Sequence, residues 1–381
     1  MKLLYVTSLS GRRINGFMRS AILAAKELGI DFTMACNMDG ADKEGYEEDC
    51  KTYGIKAVHV DFARNPLSKK NITAHKQLSE IIRGGGYDVV HCNTPIGGVL
   101  GRICAHEAQI STVIYQAHGF HFWKGAPAKN WLMYYPIECF LAHYTDLFIT
   151  INNEDYERAQ KFHLKKNGRV VKVPGVGVDL SNFDADLRDS EKGKGIRADL
   201  RQKWMIDTTA YVFVSVGELN DNKNQEVAIR ALAKTNNHNF YYIVCGEGSK
   251  KEYLAQLVEE LGIANRVKLL GYQNNIAEIL LACDCFVFTS FREGLPGALM
   301  EAMASGIPCI ASRIRGCTDL LEYSDYLFAP SNVDELADKM TRIIDNEERQ
   351  KEVTRNLQRV VNFDIEHAVK SLKDLYESVI G

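Results

Sequence analysis

Residues 286–312, FVFTSFREGLPGALMEAMASGIPCIAS, read in order as a strand, a tight loop, a helix and a second strand. Phe286 to Phe288 and Ile307 to Ala311 are short, continuous apolar runs, the kind expected of a parallel strand buried on both faces. Between them Gly294-Leu295-Pro296-Gly297 opens the helix, with Pro296 near the first helical position, where a missing N–H costs least. Leu299, Met300, Met303 and Ala304 then form an apolar stripe that has to face a sheet. A chain built this way belongs to the α/β class.

The same alternation runs through the rest of the sequence. LLYVTS (3–8), a loop at 10–16, the helix SAILAAKELG and FTMAC (32–36) make an opening strand–helix–strand unit. Strands follow at 57–62, 87–92, 112–119 and 147–152, with helices around 73–83 and 97–107. VVKVPGVGVD (170–179) closes this half. Residues 181–203 are strongly polar and read as the connector; Asp184-Ala185-Asp186 within it reads as solvated charge, not a metal motif. YVFVSVG (211–217) begins a second set of strands and helices that ends in the helices 334–345 and 347–381. Two domains are therefore expected, 1–180 and 200–355, and a length of 381 residues exceeds a typical single core.

Composition excludes several classes. A net charge of −3 argues against general nucleic-acid binding. No run approaches eighteen apolar residues, so no spanning helix is expected, and Met1-Lys2 leads directly into a strand, so no signal peptide is expected. The ten cysteines sit mostly in apolar runs and read as free buried thiols of a reducing cytosol. No metal pair is expected at Cys283 and Cys285.

Two carboxylates bracket the turn at 294–297. A helix N-terminus with unpaired N–H groups suits phosphate. A glutamate just ahead of it, Glu293, suits neutral sugar hydroxyls, and Glu301 suits a second diol such as a ribose. By spacing alone, both read equally well as solvated glutamates favoured by the helix dipole.

EGLPGALMEAMASGIP resembles the E-x7-E signature of the family-4 retaining glycosyltransferases, with Ser290, Glu293, Gly294 and Pro296 matching the flanking SxxEGxP. The resemblance implies the GT-B fold, two Rossmann-like domains facing across a cleft, with the last helix, about 362–381, returning to the first domain. It implies that Glu293 holds the donor sugar, Glu301 the nucleotide ribose, and the amides of Gly294 and Leu295 the diphosphate. His118-Gly119, after an N-domain strand, matches the family's HG, whose histidine contacts the donor sugar and phosphate. Gly246 falls in its GxG turn, and Tyr272 in the loop around the base.

Lys223 supplies a point charge to a diphosphate without a metal. The family pairs that lysine with an arginine, where this chain has Glu218; Arg12, Arg292 or Arg315 would have to share the load, or Glu218 would orient Lys223. His118 and Glu293 are thus the candidate catalytic residues. Gly11, Lys223, Gly246, Tyr272, Gly294, Leu295, Pro296 and Glu301 are the candidate substrate-binding set, with no metal ligand and no cofactor.

The segment 120–146 is unusually aromatic, with Lys124 and Lys129 interleaved, and 120–136 suits a peripheral membrane contact as well as it suits an ordinary packed helix pair. It resembles the bacterial capsule and exopolysaccharide branch, whose acceptors ride on lipid carriers. The expected activity is transfer of a sugar from a nucleotide-diphosphate sugar, a UDP-sugar first, to a glycan or lipid-linked acceptor hydroxyl. The expected setting is the cytoplasm, at the inner face of the membrane. A sugar-nucleotide epimerase and a non-catalytic sugar-nucleotide-binding module are the alternatives.

Overall fold

The computed structural model describes residues 1–8, 11–14 and 16–380. It divides into two compact units, Met1–Gly177 with Ile365–Gly381, and Val178–Asp364.

The first unit carries strands β1 (Lys2–Val6), β2 (Asp31–Cys36), β3 (Lys56–His59), β4 (Val89–Asn93), β5 (Thr112–Ala117), β6 (Leu147–Thr150) and β7 (Arg169–Lys172). Its helices are α1 (Gly16–Glu27), α2 (Lys43–Tyr53), α3 (Lys70–Gly85), α4 (Pro95–Glu107), α5 (Ala128–Ala142) and α6 (Asn153–Ala159). All strands are parallel, in the order β3-β2-β1-β4-β5-β6-β7. Central strands are buried end to end, as β4 is, which is why they read as largely apolar runs. Helix α2 has no apolar stripe to announce it; Asp42 caps it by accepting from the Gly45 amide.

The second unit carries β8 (Tyr211–Val216), β9 (Phe240–Cys245), β10 (Val267–Gly271), β11 (Cys285–Phe288), β12 (Cys309–Ser312) and β13 (Leu327–Phe328), again all parallel, in the order β10-β9-β8-β11-β12-β13. Its helices are α7 (Glu191–Lys203), α8 (Gln225–Lys234), α9 (Lys251–Glu260), α10 (Ile276–Ala282), α11 (Gly297–Ala304), α12 (Cys317–Leu320), α13 (Val333–Arg342) and α14 (Asn346–Val360). Both sheets reverse direction next to their first strand, between β1 and β4 and between β8 and β11, the place where open α/β sheets take ligands.

Helix α15 (Ile365–Ile380) belongs to the first unit, packed on α1. The Tyr376 hydroxyl lies 2.8 Å from His91 Nδ1, and Lys373 pairs with Glu27 at 3.0 Å.

The polar stretch 181–203 is not a free connector. It forms α7, packed on α10, and three arginines bind it to the second unit. Arg197 and Arg201 each reach an Asp284 carboxylate oxygen at 2.6 Å, and Arg188 donates to the carbonyl oxygens of Leu280 and Leu281 at 3.3 Å. Asp184 Oδ1 accepts from the backbone amides of Asp186 and Leu187, so the acidic triplet caps a turn. All ten cysteines are free, eight of them buried, with Cys283 and Cys285 in separate core clusters on the two sides of their sheet.

Candidate active site

In the second unit the site forms where β8 and β11 end. The loop after β8 carries Lys223 and the loop after β11 carries Glu293; Lys223 Nζ lies 2.7 Å from Glu293 Oε1, and both side chains are mostly shielded. Backbone bonds lace the two loops together: the Phe291 amide donates to the Asn222 carbonyl at 2.8 Å, and the Thr289 hydroxyl to the Lys223 carbonyl at 2.7 Å. Lys223 Nζ also stands 5.1 Å over the Phe288 ring. The partner of Lys223 is therefore Glu293. Glu218 lies exposed, contributing only its carbonyl, to Gln225 Nε2 at 3.1 Å, so it does not orient the lysine.

Arg315, buried, donates from Nε to the Glu293 carbonyl at 2.8 Å. It fixes the loop backbone and holds a guanidinium beside Glu293. Arg292 is exposed.

Helix α11 starts after buried Pro296, with no side chain capping it, so its first amides remain available to an anion. Leu299, Met300, Met303 and Ala304 are buried as their stripe requires. Glu301, on the flank of the helix, is half-buried, and burial raises its carboxyl above the ordinary glutamate value. No hydrogen-bond or ion-pair partner of its carboxylate is found among the described residues.

Gly246 sits at φ 148°, its amide donating to the Gly271 carbonyl at 2.8 Å. A Cβ there would lie 1.9 Å from the Gly217 carbonyl oxygen, so the glycine allows the loops after β8 and β9 to close together. Tyr272 is 73% exposed, its ring open to a stacking partner.

In the first unit, His118 follows β5 and Asn93 ends β4. His118 Nε2 lies 2.9 Å from Asn93 Oδ1, and its ring packs on that of Phe17, tilted by 36° with centroids 3.9 Å apart. Burial pushes its imidazole down to about 3, so the ring is neutral at physiological pH. Asn93 is fully buried, yet its Nδ2 has no partner among the described residues. The next residue, Thr94, sits at φ 61°, an unusual conformation for a β-branched residue. It is held there by Ser8, whose amide and hydroxyl meet Thr94 Oγ1 at 2.9 and 2.8 Å.

Two cavities open at this carboxyl edge. One of about 670 Å3 is lined by Gly11, Arg12, Phe17, Asn37, Arg64 and Thr94, among others. The second, about 440 Å3, is bounded by His118, Phe120, Phe122, Tyr134, Ile137 and Glu138, with Arg64 at its rim as well. Glu138 pairs with fully buried Arg102 at 3.0 Å, and Arg102 stands 3.7 Å over the Tyr115 ring. Arg13 is tied to Asp49 and Glu48 at 2.5 and 3.0 Å, so of the two loop arginines only Arg12 lines a cavity.

The aromatic segment divides differently from expectation. Trp131, Tyr134 and Tyr135 pack against the core, with Arg158 4.5 Å over Trp131. The outward face of α5 is instead apolar with a single aromatic: Leu132, Met133, Ile137 and Phe140 are exposed. No helix among the described residues is long and apolar enough to cross a membrane.

Sequence reasoning found the ends of β5 and β11 but not Phe17, Arg64 or the Arg102–Glu138 pair. Charged residues inside otherwise apolar helical stretches were the available signal for that pair.

Comparisons with known proteins bear on both units. Residues 196–360 match the family described as glycosyl transferases group 1, and residues 2–152 the family described as glycosyl transferase 4-like. EpsD of Bacillus subtilis (strain 168), a protein named as a glycosyltransferase, is 36% identical over 300 residues, 78% of this chain and 74% of its own. The Escherichia coli UDP-Gal:alpha-D-GlcNAc-diphosphoundecaprenol alpha-1,3-galactosyltransferase is 27% identical over 360 residues, 92% of this chain and 90% of its own. Among solved structures, Anabaena Alr3699/HepE in complex with UDP superposes with a TM-score of 0.78 at 21% identity, over 99% of this chain and 100% of that one, which shows the fold. With a relative this similar over most of its length, and family models covering both sheets, the chain belongs to the GT-B glycosyltransferases of the group 1 and 4-like families.

Proposed function

We propose that this glycosyltransferase is a retaining, metal-independent enzyme that takes its sugar from a UDP-sugar and places it on a hydroxyl of a lipid-linked glycan, in the synthesis of a bacterial surface polysaccharide. The observation that carries the donor half is the Lys223–Glu293 pair set ahead of the uncapped start of α11. A diphosphate bonded by the amides of Gly294 and Leu295 and by the α11 terminus would draw Lys223 to its charge, releasing Glu293 to accept from sugar hydroxyls. Glu301, desolvated and unbonded, suits the ribose diol, and exposed Tyr272 suits the base. Gly246 serves by bringing its loop close. As the anomeric carbon–diphosphate bond breaks, charge grows on the leaving oxygen, and these donors would stabilise it. His118, neutral and hydrogen-bonded to Asn93, suits a sugar hydroxyl as a hydrogen-bonding partner.

The acceptor half rests on the first unit. Arg12 and Arg64 line the larger cavity, Arg64 both, and suit the phosphates of a lipid carrier, as in the E. coli relative's named diphosphoundecaprenol substrate. The apolar face of α5 continues outward from Ile137 of the smaller cavity, and a peripheral membrane contact through 132–140 fits it better than one through 120–136. This is the setting in which a membrane-bound acceptor reaches a chain on the cytoplasmic side.

The test is titration of the full chain with UDP, UDP-glucose and UDP-galactose by calorimetry, followed by UDP release with an undecaprenyl-diphosphate-linked glycan as acceptor. Binding of UDP and acceptor-dependent release support the reading. Absence of uridine nucleotide binding overturns the donor assignment, and release that ignores the acceptor overturns the second half.

A further inference from the structure

Away from both cavities, helices α3 and α4 lie side by side and bring three different metal-ligating groups together. His75 projects from α3, and Cys104 and Glu107 from α4, three residues apart and therefore on one face of that helix. His75 Nε2 lies 3.4 Å from Glu107 Oε1, and a ring nitrogen of His75, a carboxylate oxygen of Glu107 and Cys104 Sγ all fall within 4.8 Å of one another.

Those separations suit one ion. Zinc bonds of about 2.0–2.3 Å to nitrogen, oxygen and sulfur, set at tetrahedral angles, place neighbouring ligand atoms about 3.3–3.6 Å apart. The imidazole and carboxylate are already at that spacing, and the sulfur needs a small rotamer adjustment. One neighbour suits a metal-bound thiolate. Ser79, one helical turn after His75 and nearly buried, directs its hydroxyl at Cys104 Sγ from 3.4 Å, the outer hydrogen bond that a metal-bound thiolate accepts. Without a metal the same sulfur is a buried thiol 3.7 Å from the His75 carbonyl.

We propose that His75, Cys104 and Glu107 form a zinc-class divalent metal site, with water as the fourth ligand, that clamps α3 to α4 and plays no part in sugar transfer. Binding displaces the thiol proton to solvent, with no change of oxidation state. A mixed nitrogen, oxygen and sulfur set in four-coordinate geometry selects zinc over magnesium or calcium, which take oxygen ligands.

Cobalt(II) is the probe, added to the full chain after reduction and removal of metals. Thiolate ligation gives an intense near-ultraviolet charge-transfer band, and tetrahedral coordination intensifies the visible bands. The expected result is saturation at one equivalent per chain, with displacement by zinc. Cys104→Ser should abolish the charge-transfer band, and His75→Ala should weaken cobalt affinity at least about tenfold. Because nine other cysteines are present, the His75→Ala variant decides the matter, and as a surface change it holds even where Cys104→Ser fails to fold. No charge-transfer band in the unaltered chain, or a band of unchanged affinity in His75→Ala, overturns the site.

Discussion

Lys223 and Glu293 are 70 residues apart in the chain and 2.7 Å apart in space, joined across the point where the second sheet reverses its strand order. The two charges satisfy one another, so the proposed donor's diphosphate competes with Glu293 for the lysine. That gives the two substitutions opposite signatures. Lys223→Ala should weaken UDP binding about 10–100-fold, the loss of one charge-assisted bond. Glu293→Gln should bind UDP as well as or better than the unaltered chain, while transfer falls by about 10–100-fold or more. Calorimetry with UDP alongside turnover on the full substrates separates the two; parallel losses of UDP affinity in both variants would sink this division of labour.

Glu301 carries a stability consequence of its own. Burial raises its carboxyl in the folded chain, so folding favours the protonated form. Stability from this group is fullest below the ordinary carboxylate value and declines as pH rises through that value to the raised one. Glu301→Gln removes the decline, so the variant should melt higher than the unaltered chain near pH 7 and not near pH 3. Its UDP affinity should fall about 10–100-fold if the carboxylate holds the ribose. Thermal melts at the two pH values and a UDP titration check both halves.

Acid should weaken the first unit. Burial holds His91 and His118 down to about 3, whereas in the unfolded chain a histidine takes its proton near 6.5. The contribution of the neutral rings is complete above pH 6.5 and is lost progressively as pH falls toward 3. Denaturant midpoints should therefore drop between pH 7 and pH 5. In His118→Gln, whose amide can keep the bond to Asn93, the drop should be smaller; an equal drop would remove His118 from the account.

Gly246→Ala tests the loop closure behind the proposed nucleotide site. The added methyl meets the Gly217 carbonyl oxygen at 1.9 Å from a backbone already at φ 148°. The expected loss is about 2–4 kcal/mol of stability, with UDP affinity reduced in whatever remains folded. Denaturant melts of the purified variant measure it.

The α5 face predicts vesicle binding. Leu132→Glu combined with Phe140→Glu should abolish co-flotation with anionic vesicles and leave UDP affinity unchanged, since both side chains are solvent-exposed. Flotation that survives the double change places the membrane contact elsewhere.

Much of the fold was legible because its strands are buried on both faces and so appear as largely apolar runs, unbroken in β11. The start of α11 was legible because proline and glycine punctuate it, with Pro296 the N-cap and Gly297 the first helical residue. Helix α7 was hidden for the opposite reason: arginine bonds to Asp284 and to the carbonyls at the end of α10 anchor it, and such anchors look like solvated charge. The site was partly legible by the same logic. Carboxyl ends of strands announce themselves, but the pairing of Lys223 with Glu293 depends on which strands neighbour one another. Likewise, the inward turn of Trp131 and Tyr135 depends on packing, which no local pattern records.

Helix α15 follows every residue of the second unit in sequence, yet it completes the first, laying Tyr376 against His91. During synthesis the first sheet must therefore wait, with that surface uncovered, while an entire later sheet is translated and folds. The order of completion is the reverse of the order of manufacture: a chain ending at residue 364 would carry every residue of the second unit and still lack the helix that completes the first.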